Sequence, residues 1–418
     1  MKKLLWLGCF SYLLIGVAHI IGGSILEQLV AHYQLSYKDG GQWIMNQFLG
    51  FLVGVLFTPA LSARFGKRAT VLFAIGMLTI SEAAYSLLLP WGFMLSFAPL
   101  AGLGFGMTEA IVGAMIIEYT KDGKATAMSK LETFFGIGAL IIPLAAAYLI
   151  QKNIWQLSFP ILAAMSAVMF ILWLTTSFGE VDHHLSEKAK DKEPSAPAQR
   201  GNTALGATTL KPTRKIPFGY DASSLPFLAF AVLFFLFYVG TEMSFSNYLP
   251  AILLGHTGVS EVAAASSLSV FWGAVVVGRI FAGVLAERLG YTRFLFIMTA
   301  GAAIVFGFMT VFNSYALMLV FIALTGLFFA GLFGIALVYA NGLLPGHTER
   351  TTSLCVAFGG MGGAIFPRIT GWFMDQYTIS ATLIYLAILV VGLFVLMLVL
   401  MMIGKKHTHT ISNSQISA

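Results

Sequence analysis

Twelve long apolar runs constrain this chain more than any other feature. They lie near residues 4–26, 42–62, 69–89, 94–117, 131–150, 156–178, 225–254, 263–285, 294–312, 315–340, 352–373 and 379–403, numbered spans 1 to 12 in that order. A helix crossing the hydrocarbon core of a bilayer needs about 20 mainly apolar residues. Backbone N–H and C=O groups in lipid find no water, so each run must bond internally and is predicted to be a helix rather than a strand. Charge agrees with this reading. Only 10% of the 418 residues are charged, against about 25% in a soluble domain. The net charge of +6 does not point to nucleic acid, because the basic residues sit in short connections and not on one patch. Two cysteines, Cys9 and Cys355, both in apolar stretches, are too few for a disulfide framework or a cysteine metal motif. Lys2-Lys3 before an apolar run has the look of a signal peptide, but no small-residue cleavage site follows and the later runs require the membrane anyway.

Residues 179–223 differ from the rest. They hold His183-His184, a Lys/Glu/Asp run through Glu193, then Pro, Ser, Gly and Thr, the composition of a flexible linker with no core of its own. The linker divides the chain into 1–178 and 224–403, each with six spans, and leaves 404–418 as a short tail expected to be disordered. Orientation follows from lysine and arginine. With the N-terminus inside, the inside connections, the linker and the tail carry 20 of the 24 basic residues, and the outside connections carry only Lys38 and Lys152. Both termini and the linker are therefore expected on the cytoplasmic side of the cell membrane.

Sliding the sequence against itself by 224 residues aligns Gly16 with Gly240, Gly54 with Gly278, Gly66 with Gly290, Gly102 with Gly326, Gly136 with Gly360 and Gly138 with Gly362. Arg64 meets Arg288, Ser129 meets Ser353 and Pro143 meets Pro367 in the same register. About two glycine matches would arise by composition alone. The register pairs span 1 with 7, 2 with 8, 4 with 10 and 5 with 11. The expected fold is thus all-α and integral to the membrane: two parallel, pseudo-symmetric six-helix bundles about an axis along the membrane normal, which is the major facilitator architecture. The connection between spans 2 and 3, Ala63-Arg64-Phe65-Gly66-Lys67-Arg68, resembles that superfamily's signature loop, Asp-Arg-x-Gly-Arg/Lys-Arg/Lys, with Ala63 in place of the usual Asp. Its second copy runs through Glu287-Arg288-Leu289-Gly290. Arg64, Glu287 and Arg288 are candidate gating charges; the competing reading makes them positive-inside residues only.

Ionisable side chains within a span cost several kcal/mol unless they have a partner, a cavity or a proton. Glu109 follows Gly102-Leu-Gly104-Phe-Gly106-Met-Thr108 near the middle of span 4, where small residues let helices approach. It is the leading candidate to take a proton from one side and release it on the other. Glu242 lies in the polar stretch Gly240-Thr-Glu-Met-Ser-Phe-Ser-Asn247-Tyr248-Leu-Pro250 of span 7, which reads as cavity lining. Glu132 opens span 5 and is a third coupling candidate, or a local partner of Lys130 or Arg64. Arg279 in span 8 is expected to pair with a buried carboxylate and is assigned with the gating residues. Arg368 near the end of span 11 can snorkel, and Glu82 in span 3 is read as peripheral. His19, Asn46, Gln47, Tyr238, Asn247, Tyr248 and Trp272 are candidate substrate contacts: polar groups to bond hydroxyls and rings to stack on a sugar face. Each has a structural alternative as a helix–helix hydrogen bond or an interface anchor. The Gly359-Gly360-Met-Gly362-Gly363 run with Pro367 in span 11 suits a helix that slides or bends.

Taken together, the glycine-rich span 4 ending in Glu109, Gly16-Val-Ala-His19, Met128 through Gly138, Glu242 through Pro250, Gly278-Arg279 and Gly362-Gly363-Ala-Ile resemble the fucose–galactose–glucose:proton symporter family. The resemblance covers most of the chain outside the linker and tail. It implies a secondary transporter importing a hexose with a proton by alternating access, with the span-4 carboxylate, here Glu109, in proton coupling. Two departures bear on the substrate: His19 stands where the fucose branch has a span-1 acid, and Phe333-Gly334 stands where Phe-Pro is common. An exporter of drugs or metabolites shares the same fold, and Gly136-Ile-Gly138-Ala-Leu-Ile-Ile-Pro143 has a faint likeness to an exporter motif. A membrane enzyme is not expected, since no His-Glu-x-x-His and no glycine-flanked nucleophilic Ser occurs. No cofactor or metal is expected. The partners are a small molecule, protons and the lipid bilayer, and the fold requires no second copy, so a monomer is expected.

Overall fold

The computed structural model describes residues 2–120, 124–179, 182, 224–344 and 348–416. Among them are twelve helices long and apolar enough to span a membrane: Lys2–Ser24, Tyr37–Phe65, Lys67–Ser86, Trp91–Ile116, Lys130–Gln151, Trp155–Thr175, Leu225–Thr257, Glu261–Leu289, Tyr291–Met309, Tyr315–Leu343, Thr351–Gln376 and Ile379–Gly404. They fall on the twelve predicted runs in order. Differences are at the ends, where capping decides the boundary. Span 2 starts earlier than its apolar run because Ser36 and Asp39 form a capping box before Tyr37. Span 8 likewise begins at Glu261 behind the Ser260 cap. Span 10 breaks at Gly331, whose φ is +79°; a left-handed residue is cheap only for glycine. The final helix continues to Ile416, through most of the segment 404–418 expected to be disordered; the chain there contains no proline or glycine after Gly404 to stop it. The expected linker 179–223 lies outside the described residues except for Gly179 and Asp182.

The matched glycines make matched contacts. A side chain on Gly102 would strike the Gln47 carbonyl oxygen of span 2, and one on Gly326 would strike the Phe271 carbonyl oxygen of span 8. Those two acceptors are themselves 224 residues apart. Gly54 abuts Leu103 as Gly278 abuts Leu327, and Gly136 abuts Val276 as Gly360 abuts Leu52, again in the same register. Small residues allow this backbone approach, which in lipid replaces the missing hydrophobic drive between helices. The first two pairs of contacts knit each bundle internally. The third joins the bundles, span 5 to span 8 and span 11 to span 2. Gly102→Ala is expected to wedge spans 2 and 4 apart and to destabilise the fold by about 1–3 kcal/mol, the usual cost of overpacking. A fall in the melting temperature of the detergent-purified protein checks it, and an unchanged melting temperature refutes it.

Candidate substrate and proton site

A cavity of about 440 Å³ lies between the two bundles. The first bundle contributes His19 from span 1, Glu109 from span 4 and Glu132 from span 5; the second contributes Tyr238 and Glu242 from span 7 and Trp272 and Arg279 from span 8. Phe48, Phe51, Phe135 and Phe333 complete most of the apolar wall. Span 4 is fixed at the site by its glycine contacts and by the Tyr12 hydroxyl, which donates to the Glu109 carbonyl oxygen at 3.0 Å. One turn apart on span 7, the Tyr238 hydroxyl donates to Glu242 Oε1 at 2.8 Å. This bond holds the Glu242 carboxyl to its own bundle.

Arg279 Nη1 stands 3.9 Å from Glu132 Oε2, an ion pair between the bundles inside the cavity. The Arg279 charge also acts on Glu109 and Glu242. One guanidinium therefore serves three carboxyls. If all three ionise, two negative charges lack a counter-charge in a site of low dielectric. Adding or removing one proton changes that balance, and this is the chemistry the arrangement can perform.

Three polar atoms at the cavity are buried without a hydrogen bond among the described residues: His19 Nδ1, Trp272 Nε1 and Arg279 Nη1, the last with only its longer ion pair to Glu132. The His19 ring sits among four phenylalanines, with centroids 4.8 Å from Phe105, 5.1 Å from Phe48, 5.9 Å from Phe135 and 6.1 Å from Phe51. Buried polar groups left unmet cost about 1–3 kcal/mol each, so a guest with several hydroxyls gains by meeting them. Among the described residues no group of three His, Cys, Asp or Glu side chains is arranged to hold a metal ion.

Other residues expected at a substrate site stand elsewhere. The Asn46 amide donates to the Leu95 carbonyl at 3.2 Å. Gln47 is buried in the first bundle, near the Trp43–Tyr85 pair. Asn247 donates to the Met243 carbonyl at 2.8 Å and packs on Gly23. Tyr248 donates to the Tyr37 carbonyl at 3.0 Å. Polar side chains in a span serve bonding within a helix or between helices as readily as a cavity. Glu82 is buried on span 3, away from the cavity.

Asn247 and Tyr248 belong to a seal at the end of the bundles opposite the N-terminus. There Asp375 of span 11 accepts from the first two N–H groups of span 2, Tyr37 N at 2.8 Å and Lys38 N at 2.7 Å. Arg368, expected to snorkel, instead donates to Gln42 Oε1 at 2.9 Å across the bundles. Gln28 Nε2 donates to Glu261 Oε2 at 2.8 Å. Nearby, burial first and the Glu261 charge second push the Glu27 carboxyl above the usual carboxylate range, opposed by the Tyr37 hydroxyl that donates to it.

The connection between spans 2 and 3 and its second copy lie at the other end. Arg64, Glu287 and Arg288 are exposed there, and none has an ion-pair partner among the described residues. The loop's firm contacts come from its two following cations. Lys67 pairs with Glu118. Arg68 donates to the Trp173, Leu174 and Thr176 carbonyls and to Asp182 Oδ1 at 3.1 Å, so it caps the C-terminus of span 6. The Ser177 hydroxyl, with the Phe178 amide and Arg68 behind it, holds the Asp182 carboxyl below its ordinary value.

A family model described as Major Facilitator Superfamily matches residues 8–272 and, a second time, 230–415. The glucose/mannose transporter GlcP of Bacillus subtilis (strain 168) is 28% identical over 391 residues, covering 93% of each chain. The niacin transporter NiaP of Acinetobacter baylyi is 24% identical, covering 92% of this chain and 91% of its own. Among solved structures, a D-xylose-proton symporter superposes with a TM-score of 0.72 at 13% identity, over 95% of this chain and 97% of that one.

Proposed function

The chain belongs to the Major Facilitator Superfamily, and on that footing we propose that this transporter imports a small neutral sugar, a hexose such as glucose or mannose, together with a proton. The observation that carries the reading is the cavity itself: three carboxyls and Arg279 line it, with Glu132 paired to the guanidinium, beside three buried polar atoms that lack a hydrogen bond and a wall of aromatic rings. Trp272, Tyr238 and His19 are suited to bond hydroxyls and cover a sugar face. The likeness to a glucose/mannose transporter supports the substrate class, and the positive-inside bias supports an orientation with the cavity open to the cytoplasm.

In this reading the bundles 1–178 and 224–403 rock about the cavity as a monomer. Glu109 takes a proton when the site faces outward, the sugar binds, and the seal at Asp375 re-forms as the bundles part at Arg64, Glu287 and Arg288. Proton release to the cytoplasm restores the charge excess around Arg279 and completes the turn. Glu132, whose side chain is 49% accessible, joins Arg279 across the bundles in the inward-open state. Glu242, held by Tyr238, sets the local charge on the second bundle.

A second reading, export of a cationic or amphiphilic compound driven by protons, is favoured by one observation: among the described residues no amide side chain lines the cavity, while four phenylalanines do. The two separate in one experiment. Vesicles containing the protein receive glucose, mannose, galactose or fucose while external pH is followed. Sugar-dependent alkalinisation outside is the expected result. Silence with every sugar, together with dye movement driven by an imposed pH gradient, overturns the sugar reading in favour of export. Trp272→Phe keeps an aromatic ring, though a smaller one, and loses the indole N–H; it is expected to raise the half-saturation concentration about fivefold or more, the equivalent of at least one neutral hydrogen bond, with the maximal rate unchanged. Transport kinetics check it.

A further inference from the structure

A second cavity lies outside the transport path. A groove of about 540 Å³ runs between spans 1 and 6 and is lined by residues of the first bundle alone. Phe10, Leu13 and Leu14 form one wall, and Ile161, Met165 and Leu172 most of the other. Every lining residue is apolar, and Phe10, Ile161 and Leu172 are exposed. Such a surface within two membrane spans receives hydrocarbon and not a polar solute. Its length fits one chain. Leu172 to Ile161 is 11 residues of helix, about 16 Å at 1.5 Å per residue, close to half of the ~30 Å hydrocarbon core. It begins one turn inside Thr175, where span 6 ends.

The mouth of the groove is cationic. Lys3 stands seven residues before Phe10, two helical turns away and therefore on the same face of span 1. Lys130 stands four residues before Phe134 on span 5, and the Phe134 ring lies 5.8 Å from both Trp6 and Phe10. Lys3 and Lys130 thus approach the same end of the groove from two helices. Both are exposed, and neither has an ion-pair partner among the described residues. Trp6 between them is 55% exposed, the position of an indole at a membrane interface.

We propose that this groove, with Lys3 and Lys130 at its mouth, binds one anionic glycerophospholipid, an acyl chain along spans 1 and 6 and the phosphate between the two ammonium groups. The charge pair selects the lipid: a zwitterionic headgroup brings no net charge to two unpaired cations, whereas an anionic one neutralises them. The bound lipid braces span 1 against span 6, and span 1 carries His19 into the transport cavity.

The test is native mass spectrometry of the purified full chain loaded with phosphatidylglycerol or with phosphatidylcholine. Phosphatidylglycerol is expected to stay bound preferentially. The Lys3→Gln/Lys130→Gln double variant is expected to lose that preference by about tenfold or more, given two basic contacts with an anionic headgroup. Ala164→Phe, which fills the groove from an exposed position on span 6, is expected to lower retention of both lipids; Val168→Trp serves if that variant does not fold. Equal retention of the two lipids by the wild type, or an unchanged preference in the double variant, overturns the headgroup site. Undiminished retention in a folded groove-filling variant overturns the chain site.

Discussion

Glu109→Gln is expected to leave the carrier able to exchange sugar and unable to accumulate it. The amide has nearly the shape of the protonated carboxyl, and span 4 is held by contacts that do not involve the side chain: Gly102 against span 2, and Tyr12 on the Glu109 carbonyl. The site therefore keeps its geometry and loses its titrating group. The variant resembles a carrier permanently loaded with its proton, in which both orientations bind sugar and no proton moves with it. Downhill counterflow of labelled sugar continues, and the membrane potential no longer acts on the cycle. One proton per sugar is worth about 2.3 kcal/mol per 100 mV, or about 50-fold in concentration; that factor is what the variant loses. Potential-driven uptake measured beside counterflow in the same vesicles checks it. Accumulation that survives the substitution assigns the proton to Glu132 or Glu242 instead, and loss of counterflow as well makes Glu109 a substrate contact.

The fold was open to sequence reasoning because lipid is an unforgiving solvent: each span has to be apolar and about 20 residues long, whatever it packs against. The repeat was legible for a related reason. Gly102 and Gly326 are irreplaceable where a carbonyl from a neighbouring span presses on the backbone, so both copies keep them. Within the site, the same logic reached Glu109, Glu132, Glu242 and Arg279, which would be costly anywhere except beside a cavity or a partner. It reached His19, Tyr238 and Trp272 less securely, and it drew in Asn46, Gln47, Asn247 and Tyr248, whose polar groups are satisfied within and between helices. Phe333 was marked only through its Phe333-Gly334 departure, and Phe48, Phe51 and Phe135 were not singled out as cavity rings, since composition does not distinguish them among 36 phenylalanines. The signature loop pointed to Arg64, yet the firm contacts belong to Lys67 and Arg68. Their partners, Glu118 and the end of span 6, are set by helix packing and not by local sequence.

Asp375 went unread because it meets its partners from 338 and 337 residues away, and a carboxylate at the end of a span looks like an ordinary interfacial residue. Its position gives the second large expectation: Asp375→Ala shifts the resting carrier toward the state open at the Asp375 end. The carboxylate takes both leading N–H groups of span 2, which no intrahelical acceptor can satisfy, and its charge favours the positive end of the span-2 dipole. Charge-assisted bonds are worth about 1.5–3 kcal/mol each when shielded, and these two are exposed, so a combined loss of about 2 kcal/mol is appropriate. The bonds bridge the two bundles and exist only while this end is closed, so the whole loss falls on one side of the equilibrium. That amounts to about a 30-fold change in the ratio of the two states. Ser246→Cys, buried where span 7 meets Gly23 at the same seal, reports the change through its reaction with a membrane-impermeant maleimide. Labelling at least tenfold faster when Asp375→Ala is added is the expected result, because the thiol becomes reachable only as spans 1 and 7 separate. An unchanged rate in a folded double variant would mean that Tyr248 on Tyr37 and Arg368 on Gln42 close this end without the carboxylate.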